Sequence, residues 1–292
     1  MLRANTRAAA CIALLTTSSL VGTSVALAER PPSFDPADQT HELVIDLKTE
    51  LPIVLISGAI LGVSQFIGKA YGPKTCSWCE TRDSLNGFDS LGMKALEGAN
   101  RTQAGIASDV LGYGGMPILA LGLGLASSLD ATRGAPTRYR LRRYGIDVLL
   151  MTEAVATTLS VMNFVKFISN RRRPSAIDEP KDGERMVDQN LSFFSGHTAL
   201  AFSLATSAGT IASLRKERLA PVVWVIGMLA ATGTGISRVA ANQHFASDVI
   251  VGSVVGAGIG IMVPMLHRFK SPVTVGGTAS ASAGLVNVSG RF

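Results

Sequence analysis

The sequence has little charge and few aromatic residues. Charged residues make up 16% of its 292 residues and aromatic residues 6%, whereas hydrophobic residues reach 47%. Soluble proteins usually carry about 25% charged residues. The composition therefore favours a membrane protein or an unusually apolar helical core. The net charge of +6 falls to +4 without Arg3 and Arg7, and this modest value argues against a nucleic-acid partner.

Cysteine is also scarce, and two of the three cysteines form the motif Cys76-Ser-Trp-Cys79. Such a pair is typical of half a zinc site, a redox pair or a small disulfide. The chain has no second cysteine pair, and an exported protein meets an oxidising compartment. We therefore expect a structural disulfide between Cys76 and Cys79.

Residues 1–28 have the features of a signal peptide. Two arginines precede an apolar core, and the small-x-small box Ala26-Leu27-Ala28 ends the segment. Cleavage there predicts an exported mature chain, and the alternative is an uncleaved membrane anchor. Residues 29–50 follow as an acidic leader with six carboxylates and two basic residues.

Alternating β patterns are nearly absent, and long apolar runs dominate the remaining sequence. Most runs have 17–20 residues, the length of a helix that crosses a hydrocarbon layer of about 30 Å. We therefore predict an all-α helical bundle, membrane-embedded with five or six spans. The runs lie at 52–68, 110–129, 146–165, 198–214, 219–236 and 249–266.

The chain divides further after the leader. Residues 51–109 hold a helix and the Cys-x-x-Cys loop, and residues 110–270 are predicted to form the catalytic domain. Residues 271–292 are rich in Gly, Ser and Ala and predict a flexible tail. In the last apolar run, Gly252, Gly256 and Gly260 recur every four residues, a spacing that lets helix backbones approach closely.

Loop charges predict the orientation of the runs. The basic loops at 130–145, 214–219 and 267–270 fall on one side if every run from 110 onward spans, and the positive-inside rule assigns that side to the cytoplasm. After a cleaved signal, a spanning 52–68 run would invert this order. We therefore expect that run to lie at the membrane face or to pack as an ordinary helix. The alternative is a soluble, exported helical bundle in which no run spans.

Three polar clusters lie at the ends of apolar runs, on the predicted outer side. Two of the four histidines belong to them. The clusters are Lys166-x6-Arg173-Pro174, Ser195-Gly196-His197 and Ser237-Arg238-x5-His244-x3-Asp248.

The cationic members of these clusters suit an anion. Lys166 supplies a compact charge, while Arg173 and Arg238 offer planar forks that match phosphate oxygens. Gly196 lets the backbone approach an anion closely, and the helix that follows presents N–H groups and a positive dipole. These residues predict a phosphate-binding site.

The two histidines supply the chemistry. His244 and Asp248 are four residues apart and share one helical face, so the carboxylate can hold one imidazole nitrogen and leave the other free to attack. His197 then remains to protonate the leaving oxygen.

Each cluster taken alone has a simpler interpretation. Arg171 and Arg172 would serve as a solvated anchor at the membrane interface, and a histidine at a helix start is commonly a cap. Glu153, inside an apolar run, would either pair within the bundle or remain a buried protonated acid. Joint occurrence of the three clusters on one predicted face is more specific than any one of them.

Together the clusters resemble the type 2 phosphatidic acid phosphatases, which share a fold with vanadium haloperoxidases and bacterial class A acid phosphatases. The family pattern is Lys-x6-Arg-Pro, then Pro-Ser-Gly-His, then Ser-Arg-x5-His-x3-Asp. The chain departs from it at Phe194, which replaces the usual proline and its preset φ. The resemblance covers about residues 110–267.

The resemblance implies a role for each matching residue. His244 would form a phosphohistidine, Asp248 would orient it and His197 would act as the general acid. No metal or other cofactor is implied, since cationic side chains neutralise the transition state. The implied phosphate ligands are Lys166, Arg173, Ser195, Gly196 and Arg238.

The expected function is a metal-independent phosphatase that hydrolyses a lipid phosphate or pyrophosphate at the periplasmic face of the inner membrane. One alternative is a soluble exported acid phosphatase or vanadate-dependent haloperoxidase with the same residues. Another is a non-catalytic membrane protein that binds a phosphorylated lipid. The sequence does not specify the lipid or the oligomeric state.

Overall fold

The computed structural model describes residue 43 and the ranges 45–178, 185–268, 274–280 and 283–289. The predicted signal peptide, residues 1–28, and most of the acidic leader lie outside the described residues. The described residues are helical apart from a single β-hairpin and connecting loops. The predicted all-α helical bundle is therefore confirmed.

The helices are numbered in chain order. They are α1 (Leu47–Tyr71), α2 (Gly87–Ala95), α3 (Arg101–Asp109), α4 (Met116–Ala131), α5 (Thr137–Ser169), α6 (Pro174–Asp178), α7 (Arg185–Gln189), α8 (Gly196–Leu214), α9 (Ala220–Ala240) and α10 (Ala246–Leu266). A π-helical turn, Val110–Gly115, joins α3 to α4 without a break in the helical backbone.

Helix α8 is the centre of the bundle. Of its 19 residues, 15 are buried, and α4, α5, α9 and α10 pack around it. Several of its serines and threonines form hydrogen bonds inside the bundle: Thr206 Oγ1 donates to the carbonyl of Phe202 (2.8 Å), and Thr158 of α5 donates to Ser203 Oγ (3.1 Å). A helix enclosed in this way contacts protein on all sides and does not need to be uniformly apolar.

Three glycines of α10 face α8 at the predicted spacing. A Cβ atom at Gly252 would lie 2.7 Å from the carbonyl oxygen of Ser195, and one at Gly256 or Gly260 would collide with backbone atoms of α8. The predicted close approach of helix backbones is present, and it brings the start of α10 against the start of α8.

The predicted number of spans was too high. Among the described residues, four helical segments are long and apolar enough to cross a membrane: Arg101–Ala131, Thr137–Ser169, Ala220–Ala240 and Ala246–Leu266. The 198–214 run lies in α8 and does not qualify, because its serines and threonines make it less apolar than the other four segments. In α1 the apolar stretch, Glu50–Ser64, is shorter than the other four.

Helix α1, which contains the 52–68 run, packs lengthwise against α5. Asn163 Nδ2 donates to Ser64 Oγ (2.7 Å), and Ser160 Oγ contacts the carbonyl of Ser57 (3.4 Å). Its outer face is apolar, with Leu55 61% and Ile56 60% exposed. The helix is therefore half-covered by the bundle.

Strands β1 (Thr274–Ser280) and β2 (Ala283–Ser289) form an antiparallel hairpin in which Thr274 lies opposite Ser289. The hairpin lies within residues 271–292, the segment predicted as a tail. Its strands were not predicted from the sequence.

Candidate active site

The three polar clusters meet at one end of the bundle. The first lies at the end of α5 and in the loop after it, and the second opens α8. The third spans the end of α9, the following loop and the first turn of α10. Helix ends that face the same way thus bring together side chains separated by up to about eighty positions in the sequence.

His244 lies in the loop between α9 and α10 and is 1% exposed at its side chain. Its Nδ1 atom is 3.6 Å from Oδ2 of Asp248 and has no closer hydrogen-bond partner among the described residues. Burial lowers the pKa of His244 well below its usual range, and the charges of Arg173, Lys166 and Arg238 lower it further. The imidazole is therefore neutral, the form in which it can act as a nucleophile.

Asp248 is fixed by several donors. Its Oδ2 atom accepts hydrogen bonds from Ser192 Oγ (2.6 Å) and from the backbone N–H of Phe245 (3.0 Å). Its Oδ1 atom accepts from Arg171 Nη1 (2.6 Å). These bonds hold the carboxylate in one orientation beside His244.

Arg171 is not a solvated interface anchor, and the prediction made for it was wrong. Its side chain is 0% exposed and forms ion pairs with Glu80, Asp89 and Asp248. The Nε and Nη2 atoms donate to Glu80 at 2.8 and 2.7 Å, and Nη2 also donates to Asp89 at 2.7 Å. A buried guanidinium needs all five of its N–H groups satisfied, and Ser247 Oγ, which accepts from Nη1 at 2.7 Å, completes the set with Glu80, Asp89 and Asp248.

Two aromatic rings complete the surroundings of Arg171. Its guanidinium carbon lies 4.2 Å from the ring centroids of both Trp78 and Phe245, within the range of a cation–π contact. Trp78 belongs to the Cys-x-x-Cys loop, in which the Sγ atoms of Cys76 and Cys79 are bonded to each other. The loop thus covers the cation that holds Asp248.

Two of the predicted phosphate ligands have carboxylate neighbours. Arg173 is 7% exposed, and its Nη2 atom lies 2.9 Å from Oδ1 of Asp188. Arg238 is 6% exposed, and its Nη1 atom lies 3.0 Å from Oδ1 of Asp109. Lys166, in the last turn of α5, is close enough for its charge to act on His244.

His197 lies in the first turn of α8, beside Asp109 and Tyr113, which lie outside the three predicted clusters. Its Nε2 atom is 2.9 Å from Asp109 Oδ1, without the alignment of a hydrogen bond, and its ring lies 4.1 Å from that of Tyr113. A Cβ atom at Gly112 would lie 2.9 Å from His197 Cδ2, so only glycine leaves room for the imidazole. The Gly-rich sequence from Val110 to Gly115, where the π-helical turn forms, was the available signal.

The Ser195-Gly196 segment connects the second and third clusters. The backbone N–H of Ser195 donates to the carbonyl of Asp248 (3.1 Å), and Ser195 Oγ shares a hydrogen bond with Thr198 Oγ1 (2.9 Å). Phe194, just before it, is 1% exposed and packs with Met162 and Ala199. The residue that departs from the family pattern is therefore a core side chain.

As a whole, the arrangement suits phosphoryl transfer. A neutral imidazole faces a fixed carboxylate, a second imidazole lies nearby, and three cationic side chains surround them. Cations positioned where charge develops on phosphoryl oxygens stabilise the transition state for such a transfer.

Comparison with known proteins agrees with the motif pattern. Residues 147–271 match the family model described as the PAP2 superfamily. The chain is 34% identical over 130 residues to a lipid A 1-phosphatase of Porphyromonas gingivalis. That match covers 44% of this chain and 25% of the relative, so the chain spans about a quarter of the relative's length. No solved structure matches. The resemblance drawn from the three motifs is confirmed over residues 147–271, which match the PAP2 superfamily model.

Proposed function

We propose that the chain is a lipid phosphatase that transfers the phosphoryl group of its substrate to His244 and then to water. The observation that carries this proposal is the joint position of His244, Asp248 and His197 with three cationic side chains at one end of the bundle. The name of the relative, a lipid A 1-phosphatase, supports a phosphorylated lipid as the substrate class.

The reaction has two steps. Because Nδ1 of His244 faces Asp248, Nε2 attacks phosphorus, and the bond from phosphorus to the leaving oxygen breaks. In the free protein, burial and the charge of Arg238 lower the pKa of His197 to about 3, so His197 takes up its proton together with the anionic substrate and gives it to that oxygen. In the second step His197 removes a proton from water, the water oxygen bonds to phosphorus, and the phosphorus–nitrogen bond breaks. Lys166, Arg173 and Arg238 stabilise the phosphoryl oxygens in both steps.

This mechanism needs no metal ion at the site, since the positive charge comes from the protein. The backbone N–H groups at the start of α8 supply further donors for an anion. The phosphoryl-transfer site therefore uses only groups of this chain.

The proposal is tested by trapping the intermediate on purified protein. Brief incubation with radiolabelled p-nitrophenyl phosphate should leave an acid-labile, base-stable phosphoryl adduct on the wild type and none on His244→Gln. His197→Gln is the matched variant: p-nitrophenolate leaves without protonation, so this variant should form the adduct and release it slowly. An adduct on His244→Gln equal to that of the wild type would refute the assigned nucleophile.

The substrate class is tested by phosphate release from a panel. The panel comprises a lipid A-type phosphate, phosphatidic acid, a polyprenyl pyrophosphate and the soluble p-nitrophenyl ester. Faster turnover of a lipid substrate supports the proposal. Equal turnover of the soluble ester would instead favour an acid phosphatase.

We also propose that the protein lies in the inner membrane with this site at the periplasmic face. Four apolar helices of sufficient length support the membrane location. The arginine-rich segment 130–145, predicted as a loop, comprises the α4–α5 connection and the first turns of α5, and it lies at the end opposite the site. A bonded Cys76–Cys79 pair is consistent with an oxidising compartment. Release of the protein by a carbonate wash without detergent would contradict the membrane location.

The direction of α1 bears on the N-terminal segment. Glu50, in its first turn, contacts His267 at the arginine-loop end, and Pro73, just after it, contacts Asn190 near the site. If α1 spans, residues that precede it lie on the cytoplasmic side, which disagrees with a cleaved signal. A cysteine introduced within 29–46 tests whether α1 spans: labelling by an impermeant maleimide from outside means that this segment faces the periplasm, as a cleaved signal requires, and protection supports a spanning α1 with the segment in the cytoplasm.

A further inference from the structure

Glu50, Glu153 and His267 converge inside the bundle, at the end opposite the candidate active site. They come from the first turn of α1, the middle of α5 and the residue after α10. His267 Nε2 lies 2.9 Å from Glu50 Oε1 and 3.9 Å from Glu153 Oε2. One ligand atom from each residue lies within 4.8 Å of the other two, and the three side chains are 9–11% exposed.

The two carboxylates carry more negative charge than one imidazolium can balance. Glu50 and Glu153 are each 7% exposed, and the Oε2 atom of each has no hydrogen-bond donor among the described residues. A buried carboxylate oxygen without a donor or a cation is strongly unfavourable. Both oxygens are thus available to a ligand that carries positive charge.

The orientation of His267 matches that of a metal ligand. Its Nδ1 atom lies 2.7 Å from the carbonyl oxygen of Val263, which can only accept, so Nδ1 carries the proton. The other ring nitrogen, Nε2, then faces both carboxylates. Histidines that bind metals usually donate their second ring N–H to a backbone carbonyl in this way.

We infer that Glu50, Glu153 and His267 form a binding site for a divalent metal ion of the zinc or manganese type. Imidazole favours zinc and the neighbouring transition metals, and carboxylates also bind manganese. A site with one imidazole and two carboxylates therefore favours these ions over the harder magnesium and calcium ions. Three protein ligands leave at least one coordination position for water.

The site is remote from phosphoryl transfer. Nineteen residues of helical backbone separate His267 from Asp248, which corresponds to roughly 28 Å at 1.5 Å per residue. An ion here would connect α1 to α5 and α10 without contact to the substrate phosphate. The inference is therefore independent of the proposed reaction and of its metal-free site.

The test uses the untagged full-length chain in detergent. The protein is equilibrated with Zn²⁺, desalted, and its zinc content is measured by mass spectrometry. We expect one zinc per wild-type chain and none retained by Glu153→Gln or Glu50→Gln. The double variant His197→Gln/His244→Gln controls for zinc on the other histidines and should retain the wild-type amount. Zinc retained by both glutamine variants at the wild-type level would overturn the inference.

Thermal unfolding supplies a second readout, because an ion that binds only the folded chain stabilises it. Zn²⁺ should raise the Tm of the wild type and leave that of Glu153→Gln unchanged, while phosphate release by Glu153→Gln persists. If the wild type took up no zinc and Glu153→Gln had a higher Tm than the wild type, Glu50 and Glu153 would instead be a pair of carboxyl groups that shares a proton.

The pH dependence of zinc binding provides a further test. Imidazole binds zinc only through an unprotonated nitrogen, here Nε2 of His267, so the apparent zinc affinity should weaken as the pH falls. An affinity that does not change with pH would contradict His267 as a ligand.

Discussion

Arg171 Nη1 lies 2.6 Å from Asp248 Oδ1, and both side chains are 0% exposed. Asp248 faces His244, so Arg171 acts on the candidate nucleophile through one intermediate carboxylate. The same guanidinium binds Glu80 and Asp89, which lie about eighty to ninety positions earlier in the chain. Arg171 thereby links the Cys-x-x-Cys loop and α2 to the reacting groups as a positioning residue.

Replacement of Arg171 should impair both stability and turnover. Arg171→Met leaves buried carboxylates without a counter-charge, and removal of one partner from a buried ion pair typically costs about 3–5 kcal/mol. Arg171→Lys keeps the charge but cannot serve several acceptors at once. We expect Arg171→Lys to remain folded, with kcat reduced at least tenfold and KM nearly unchanged, as measured by phosphate release and thermal unfolding.

Arg172 provides the matched control, because it is adjacent in sequence and half-buried. Arg172→Met should preserve kcat within a factor of two. If the kcat of Arg171→Lys equalled that of Arg172→Met, Arg171 would have only a structural role.

The packing of α10 on α8 predicts a pair of glycine variants with opposite outcomes. A Cβ atom at Gly252 would lie 2.7 Å from the carbonyl oxygen of Ser195, whereas one at Gly258 would meet nothing within 4 Å. Gly252→Ala should therefore displace the Ser195-Gly196 segment and sharply reduce phosphate release. Gly258→Ala should retain activity and gain about 0.5–1 kcal/mol of helix stability. Equal activity of the two variants would show that the segment tolerates displacement.

Asp109 predicts an effect on phosphate affinity. Its carboxylate lies 3.0 Å from Arg238 and 2.9 Å from His197, and its side chain is 58% exposed. A negative charge 4 Å from a bound phosphate opposes phosphate binding by about 1 kcal/mol in water-like surroundings, or roughly fivefold in affinity. The inhibition constant of inorganic phosphate should therefore fall several-fold in Asp109→Asn. A higher constant would indicate that Asp109 instead holds the cations in place.

The sequence predicted the three polar clusters because their residues form short motifs at helix ends. It did not predict the burial of Arg171, since Glu80 and Asp89 are distant in sequence and no local pattern relates them to Asp248. Asp109 was missed for a similar reason: its contacts with His197 and Arg238 depend on how α3 packs against α9 and how the π-helical turn after it packs against α8. The span count was too high because the hydroxyl residues of α8 make it less apolar than a membrane span, and the apolar stretch of α1 is short.

Phe194 is the position where this chain departs from its family pattern, and its burial predicts the result of restoring proline. The phenyl ring is 1% exposed and packs with Met162 and Ala199, so Phe194→Pro removes a core side chain beside the first turn of α8. Loss of a buried phenyl group typically costs about 3–5 kcal/mol, and proline refills only part of the space. We expect a clear fall in Tm, measured by thermal unfolding in detergent. The Tm of Phe194→Leu, which keeps most of the buried volume, should fall less. The kcat of both variants should stay near the wild-type value at temperatures where they remain folded, because neither change removes a group that contacts phosphate. A stabilised Phe194→Pro variant would contradict this, because it would mean that a preset φ before Ser195 outweighs the packing of the ring.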